Sequence, residues 1–298
     1  MNQLNHCQKK CEFLKYLILK LRLKFYKIFI SMKYNFILGV GAQKSGTTWL
    51  YNYLKGSKNS NLGELKEWHI WDAKYIDLCS NFKLPNEKTN LNKAQQIRLQ
   101  MQTENKYYEK YFLSLMSKEI NITGDITPSY CGLNFVHFLN IKNKLKKIGF
   151  NIKVVFLMRD PVLRCWSATR MIIKLNKKYQ NISNLEANNL LLNYYNSPGF
   201  IMRTKYENTI INLKKAFSKD EIFIGFYENL FNNSNLDMLS NFLGIKESLS
   251  DKQHFTNVSP SYQLDPEISK ICRNFYKDTY DYCFTNFPIT EKLWKNNE

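Results

Sequence analysis

The sequence is poor in the features that would stabilise a small secreted fold or hold a metal. Its seven cysteines (Cys7, Cys11, Cys79, Cys131, Cys165, Cys272 and Cys283) are scattered, odd in number and include no CxxC pair. Its four histidines have no metal-ligand spacing. A disulfide framework and a zinc site are therefore not expected, and the thiols read as free in a reducing, cytoplasmic setting. Proline-rich or glycine-rich linkers, low-complexity tracts and internal repeats are absent, so no internal domain boundary is visible. No run approaches the ~18 uncharged apolar residues of a membrane-spanning helix. No small-residue cleavage site follows the N-terminal apolar stretch, so a signal peptide fits poorly. Acidic residues are also scarce, with 25 Asp and Glu against 43 Lys and Arg, a net charge of +18. Such an excess points to anionic partners: nucleic acid, anionic lipid, acidic glycan or a phosphorylated cofactor. Part of it is background in a chain rich in Asn, Lys and Ile.

What is present divides the chain in two: a basic segment, 1–33, and a globular remainder, 34–298. In the first, Lys9, Lys10, Lys15, Lys20, Arg22, Lys24, Lys27 and Lys33 face only Glu12. Lys9, Lys20, Lys24 and Lys27 share a helical face, while Lys15 and Arg22 break the other. This reads as an imperfect basic amphipathic helix, suited to peripheral contact with an anionic inner membrane face. A helix packed on the domain, or a frayed tail, is the alternative.

In the remainder, near-continuous apolar runs alternate with helical patterns. "NFILGVG" (35–41), "IKVVFLM" (152–158) and "EIFIGF" (221–226) suit strands of a parallel sheet covered on both faces. Helical patterns fall at about 46–55, 93–117, 134–148, 162–174, 201–217 and 263–283. The alternation predicts an α/β fold, a doubly wound three-layer parallel sheet. The polar helical stretch 81–118 reads as a cover. Ligands of such sheets sit outside the carboxyl ends of the strands. That rim receives Gly41-Ala42-Gln43-Lys44-Ser45-Gly46 from one strand and Arg159 from another.

"GVGAQKSGTTWL" (39–50) has the parts of a phosphate loop. Glycines permit close backbone approach, a helix start offers N–H groups, and Lys44, Thr47 and Thr48 add charge and hydroxyls. An ATP loop requires G-x-x-x-x-G-K-[ST], yet Thr47 stands where that lysine belongs. A metal-holding carboxylate at the neighbouring strand end is replaced by Arg159, and Asp160 before Pro161 reads as a helix cap. A second anionic group on the ligand, without a metal, accounts for the arginine. A divergent P-loop kinase and a non-catalytic binder of glycan or nucleic acid are the alternatives.

"GVGAQKSGTTWLYNYL" resembles the 5′-phosphosulfate loop of the sulfotransferases. "VVFLMRDPVLRCWSATRM" is similar to their 3′-phosphate motif. "GELKEWHIWD" (63–72) resembles the K-E-x-H-F-F segment of the heparan-sulfate branch and its bacterial relatives, and "GDITPSY" (124–130) their G-E-K-T/S-P-x-Y segment. "TKYENTIINLKKAFSKDEIFIGFYENL" (204–230) and "LSNFLGI" (239–245) resemble later stretches. The likeness covers roughly 34–290. It departs at Ile126, where the family has a lysine, and lacks a C-terminal lysine–glycine-rich loop near "TNVSPSY" (256–262).

The resemblance implies a P-loop-like fold and sulfuryl transfer from 3′-phosphoadenosine 5′-phosphosulfate (PAPS), releasing PAP, without a metal. It implies donor binding by Gly41, Gln43, Lys44, Ser45, Gly46, Thr47, Thr48, Trp49, Arg159, Ser167 and Tyr206. Lys44 would neutralise the leaving oxygen. Glu67 would be the general base, with His69 as the other candidate, since an extended segment points both to one side. Trp68, Trp71 and Trp166 read as core, and Asp125 as a turn cap or an acceptor-orienting group. The K-E-x-H segment implies a glycan acceptor, a glycolipid would also suit the N-terminal basic helix, and nucleic acid is not expected.

Overall fold

A computed structural model describes residues 34–85, 90–179, 181–245 and 262–295. The basic segment 1–33 and most of 256–262 lie outside the described residues. Four parallel strands, β1 (Tyr34–Gly41), β2 (Ile122–Ile126), β3 (Phe150–Met158) and β4 (Ile222–Phe226), form one sheet in the order β2-β1-β3-β4. The apolar runs are continuous because both faces are covered. Phe36, Leu38 and Val40 of β1 join one apolar cluster with Phe150, Ile152, Val154 and Phe156 of β3. Ile37, Val155 and Leu157 point the other way into a second cluster.

The helices are α1 (Thr47–Lys55), α2 (Trp71–Tyr75), α3 (Lys93–Thr103), α4 (Tyr107–Ser114), α5 (Phe135–Lys147), α6 (Pro161–Leu175), α7 (Asn184–Tyr194), α8 (Pro198–Thr204), α9 (Tyr206–Ala216), α10 (Asn233–Leu243), α11 (Pro266–Phe275), α12 (Lys277–Asn286) and α13 (Ile289–Lys295). On the second face α1 and α10 bury Leu50, Leu54, Leu239 and Leu243. Helices α4, α5, α6 and α9 cover the first face with Phe112, Phe138, Cys165 and Ile210. The result is three layers and an α/β fold, as the alternation of patterns predicts.

Three expected helices are each split. The stretch 93–117 breaks at Lys106, whose φ of 64° is left-handed and opens α4. The stretch 201–217 lies across the junction of α8 and α9 at Lys205, and 263–283 breaks at Tyr276 between α11 and α12. Strand β2 has no apolar run to announce it, because Gly124 and Asp125 occupy its middle. Gly124 is needed there. A Cβ at Gly124 would lie 2.3 Å from the Ile37 carbonyl oxygen of β1, so only glycine allows this approach.

The chain leaves β1 towards β2 on one side, and leaves β3 towards β4 on the other. The carboxyl ends of these adjacent strands are thus the switch point at which open α/β sheets bind ligands. Lys44 follows β1 and Arg159 follows β3.

Candidate active site

The loop after β1 is built by its glycines. Gly41 has φ 143°, and a Cβ there would lie 2.9 Å from the Pro128 carbonyl oxygen. Gly46 has φ 97° and serves as N-cap of α1 without a side chain, so the first N–H groups of α1 have no side-chain cap. Lys44 itself is left-handed, with φ 72°. Positive helix dipole, backbone donors and an ammonium therefore converge at one point.

The turn after β3 is held from three directions. Tyr206 Oη donates to the Arg159 carbonyl at 2.8 Å, and the Asp160 amide donates to Glu228 Oε1 at 2.8 Å. Asp160 caps α6 by accepting from the Leu163 amide at 2.9 Å, and Tyr280 Oη donates to its other oxygen at 2.9 Å. Pro161 fills the first helical position. The Arg159 guanidinium lies 4.7 Å from the centre of the Tyr227 ring and 3.5 Å from the Lys44 carbonyl oxygen. The two strand ends thus meet on one rim.

Between them is a cleft of about 350 Å³ lined by Gln43, Lys44, Gly46, Thr47, Thr48, Trp49, Lys66, Glu67, Pro128, Arg159, Ser167, Arg170, Met171, Tyr227 and Phe231. Four of these are cations (Lys44, Lys66, Arg159 and Arg170) and one, Glu67, is a carboxylate. The excess is felt by the groups themselves. Burial, then Arg159 and Arg170, push the Lys44 ammonium below the ordinary lysine value, and burial with Arg159 lowers the Arg170 guanidinium. Arg159 Nε, Arg170 Nε and Ser45 Oγ are buried without hydrogen-bond partners among the described residues. Cations crowded in this way raise the positive potential of the cleft, which suits an anionic ligand.

Glu67 is set at the cleft by a chain of polar contacts. Lys66 Nζ donates to Glu67 Oε1 at 2.6 Å and to Thr48 Oγ1 at 3.0 Å. Glu67 Oε2 lies 3.4 Å from His69 Nε2, and His69 Nδ1 lies 2.7 Å from Asp72 Oδ2. Ser129 Oγ donates to the same Asp72 oxygen, and Phe82 stacks on the imidazole at 3.6 Å. Burial alone would raise the Glu67 pKa, but its bonds to His69 and Lys66 hold it below the usual carboxylate range. Burial alone would lower His69, but Asp72 and Glu67 outweigh it and hold the imidazolium above its ordinary value. Glu67 is therefore an anion at neutral pH, able to accept a proton, while the same contacts favour the protonated form of His69.

Of the residues expected at the site, Gln43, Lys44, Gly46, Thr47, Thr48, Trp49, Glu67, Arg159 and Ser167 line the cleft. Gly41 and Ser45 lie beneath it in the loop, Tyr206 is buried behind Arg159, and His69 is reached through Glu67. The contact between 67 and 69 comes from a loop in which His69 is left-handed, φ 52°, rather than from an extended segment. Trp68, Trp71 and Trp166 are buried in the core. Asp72, Lys66, Arg170, Tyr227 and Phe231 were not anticipated. The signal for Asp72 was its spacing of three from His69, and for Arg170 its spacing of three from Ser167 on one helix. Among the described residues, no cluster of three or more His, Cys, Asp or Glu is placed to hold a metal ion, and no helix is long and apolar enough to cross a membrane.

Residues 36–245 match the model of the sulfotransferase family. The chain belongs to that family and is a sulfotransferase. Its fold is similar to that of a sulfotransferase from Alicyclobacillus acidocaldarius, at 15% identity and a TM-score of 0.54, covering 84% of this chain and 94% of that one. A mouse sulfotransferase complexed with PAP, SULT7A1, is matched at 12% identity and a TM-score of 0.44, over 88% of this chain and 87% of that one. No curated protein sequence matches this chain significantly.

Proposed function

We propose that this sulfotransferase takes its sulfuryl group from PAPS and passes it to a hydroxyl or amine of a glycan or glycolipid, by in-line displacement and without a metal. The observation that carries the reading is a further cation brought from a second strand end: Arg159 and Ser167 line the same cleft as Lys44 and the loop after β1. A donor with one phosphate chain needs the loop alone, and a 3′-phosphate accounts for the added arginine and serine. Four lining cations and the unpartnered Nε atoms of Arg159 and Arg170 fit such a polyanion.

When bound, the donor supplies an activated sulfuryl group whose leaving group is a phosphate. The loop amides, Thr47 and Thr48 hold its 5′ end, and Lys44 stabilises negative charge developing there. Arg159 and Ser167 hold the 3′ end. Glu67, ionised and opening on the same cleft, accepts the acceptor's proton, while His69 fixes the orientation of its carboxylate. Tyr206 acts from behind by holding the Arg159 carbonyl. The glycan acceptor rests on the K-E-x-H segment, and the contact of 1–33 with anionic membrane rests on its charge pattern.

The test is incubation with ³⁵S-labelled PAPS and a panel of glycans, glycolipids and phenols. Label on a carbohydrate hydroxyl or amine supports the proposal. Transfer to phenols alone overturns the acceptor class, and failure of PAP to bind in calorimetry overturns the donor. Deleting residues 1–30 should abolish sedimentation with anionic vesicles, and unchanged sedimentation removes the membrane contact.

A further inference from the structure

Asp125 is a fully buried carboxylate in β2, away from the cleft lining, and the reaction described above does not use it. It accepts three hydroxyl protons, from Thr127 Oγ1 at 2.6 Å, Tyr130 Oη at 2.7 Å and Tyr108 Oη at 3.1 Å. Two of those hydroxyls do something further. Thr127 Oγ1 accepts the Trp68 amide at 3.1 Å, and Tyr130 Oη accepts the Ile70 amide at 3.2 Å. These amides flank His69. From the other side, Gln102 of α3 donates to the His69 carbonyl at 3.0 Å.

A hydroxyl has one proton, and the direction in which it is given decides which lone pairs remain. Because Thr127 and Tyr130 both donate to Asp125, both oxygens are free to accept from the segment above. The carboxylate therefore sets the polarity of two relays that end on the backbone either side of His69. That backbone needs holding. His69 is not glycine, yet it has φ 52°, a conformation that persists where the surroundings over-determine it. The placement of its ring between Glu67 and Asp72 depends on that conformation.

We propose that Asp125, through Thr127 and Tyr130, is a positioning residue for the Glu67–His69 pair. The proposal rests on reading Glu67 as the acceptor's base. An amide at this position would present a donor to one of the two hydroxyls, which would lose its acceptor and have to turn its proton elsewhere, beside the backbone N–H that it receives. The charged and titratable groups around Asp125 are Tyr108 from α4, Tyr130, Asp72 from α2 and Arg98 from α3. Burial pushes the Asp125 carboxyl up to about 6 despite its three donors, so it is ionised, and accepts only, above neutrality.

The experiment reads His69 directly. The chain has four histidines, so ¹³C-histidine labelling gives few ring signals, and His69 is assigned by loss of its signal in His69→Asn. The full chain is titrated as wild type, Asp125→Asn, Thr127→Val and Tyr130→Phe, with PAP affinity and thermal unfolding measured on each. The expected result is a fall in the His69 pKa towards its ordinary 6.5 in all three variants, with PAP affinity within about twofold of wild type. If Asp125→Asn does not fold, Thr127→Val and Tyr130→Phe carry the test, since each removes one relay. A His69 titration unchanged in both, or a PAP affinity that falls in parallel with stability, overturns the proposal. If wild type fails to bind PAP but the His69 shift appears, the positioning stands and the donor reading fails.

Discussion

Replacing Glu67 by glutamine separates the base from the anion site, because the residue belongs to both. The amide keeps the size of the carboxylate and one acceptor oxygen for Lys66. It loses the charge, and its NH₂ cannot accept the acceptor's proton. Loss of a general base costs about 10²- to 10⁴-fold, roughly 3–5.5 kcal/mol of transition-state stabilisation. The same substitution removes the one carboxylate from a cleft lined by four cations, so attraction for an anionic donor does not weaken. The expected outcome is kcat down by about 100-fold or more, with PAP affinity unchanged or tighter by calorimetry. Turnover within about tenfold of wild type would refute the role, and so would a collapse of PAP binding.

The pH profile of the wild type then decides between Glu67 and His69. A carboxylate held below its ordinary pKa is ionised over the whole neutral range and is lost only as pH falls through that lowered value. An imidazolium held above its ordinary pKa gains a free base form as pH rises through the raised value. Above neutrality, kcat/KM should therefore be flat or falling if Glu67 is the base, and should rise as pH passes through the raised imidazole value if His69 is. Asp125, pushed to about 6, is ionised throughout that range and does not confuse it. A clear rise would transfer the role of base to His69.

Lys44→Ala should lower kcat about 10²- to 10³-fold, the usual cost of removing a donor aimed at developing charge, and steady-state kinetics with PAPS would check it. Because burial and neighbouring cations depress the Lys44 pKa, kcat/KM should decline on the alkaline side before the ordinary lysine value of 10.5. Arg159→Ala should weaken PAP binding by roughly 10- to 100-fold, the worth of a charge-assisted hydrogen bond, and flatten its salt dependence in calorimetry. Gly41→Ala should cost about 1–3 kcal/mol in thermal or denaturant unfolding, since φ 143° and the contact with the Pro128 carbonyl oxygen both oppose a Cβ.

The sheet was legible where its strands bury both faces, since β1 and β3 are unbroken apolar runs. Strand β2 was hidden by its own function. Gly124 is there to let backbones approach, and Asp125 to anchor hydroxyls, so neither contributes an apolar signal. The helices were legible in position but not in length, because breaks at Lys106, Lys205 and Tyr276 lie on non-glycine residues without proline. Tertiary packing, not local propensity, chooses those breaks.

The site was legible where backbone geometry demands particular residues, and opaque where side chains converge from distant elements. Gly41 and Gly46 announce the loop because no other residue tolerates those φ values beside those neighbours. Arg159 announces itself by position, at the end of a strand beside that loop. Arg170 carries only its spacing of three from Ser167, being otherwise one arginine on an amphipathic helix. It matters only because α6 is capped by Asp160 and pinned by Tyr280, which fixes the face that Ser167 and Arg170 turn to the cleft. This bears on the departure at Ile126. That residue is fully buried in β2 and brings no charge to the cleft. Arg170 of α6 does line the cleft and is close enough to Lys44 to lower its pKa. A polyanion is held by the summed field of a cleft, so a cation can change its place in the sequence provided the fold returns it to the same cavity.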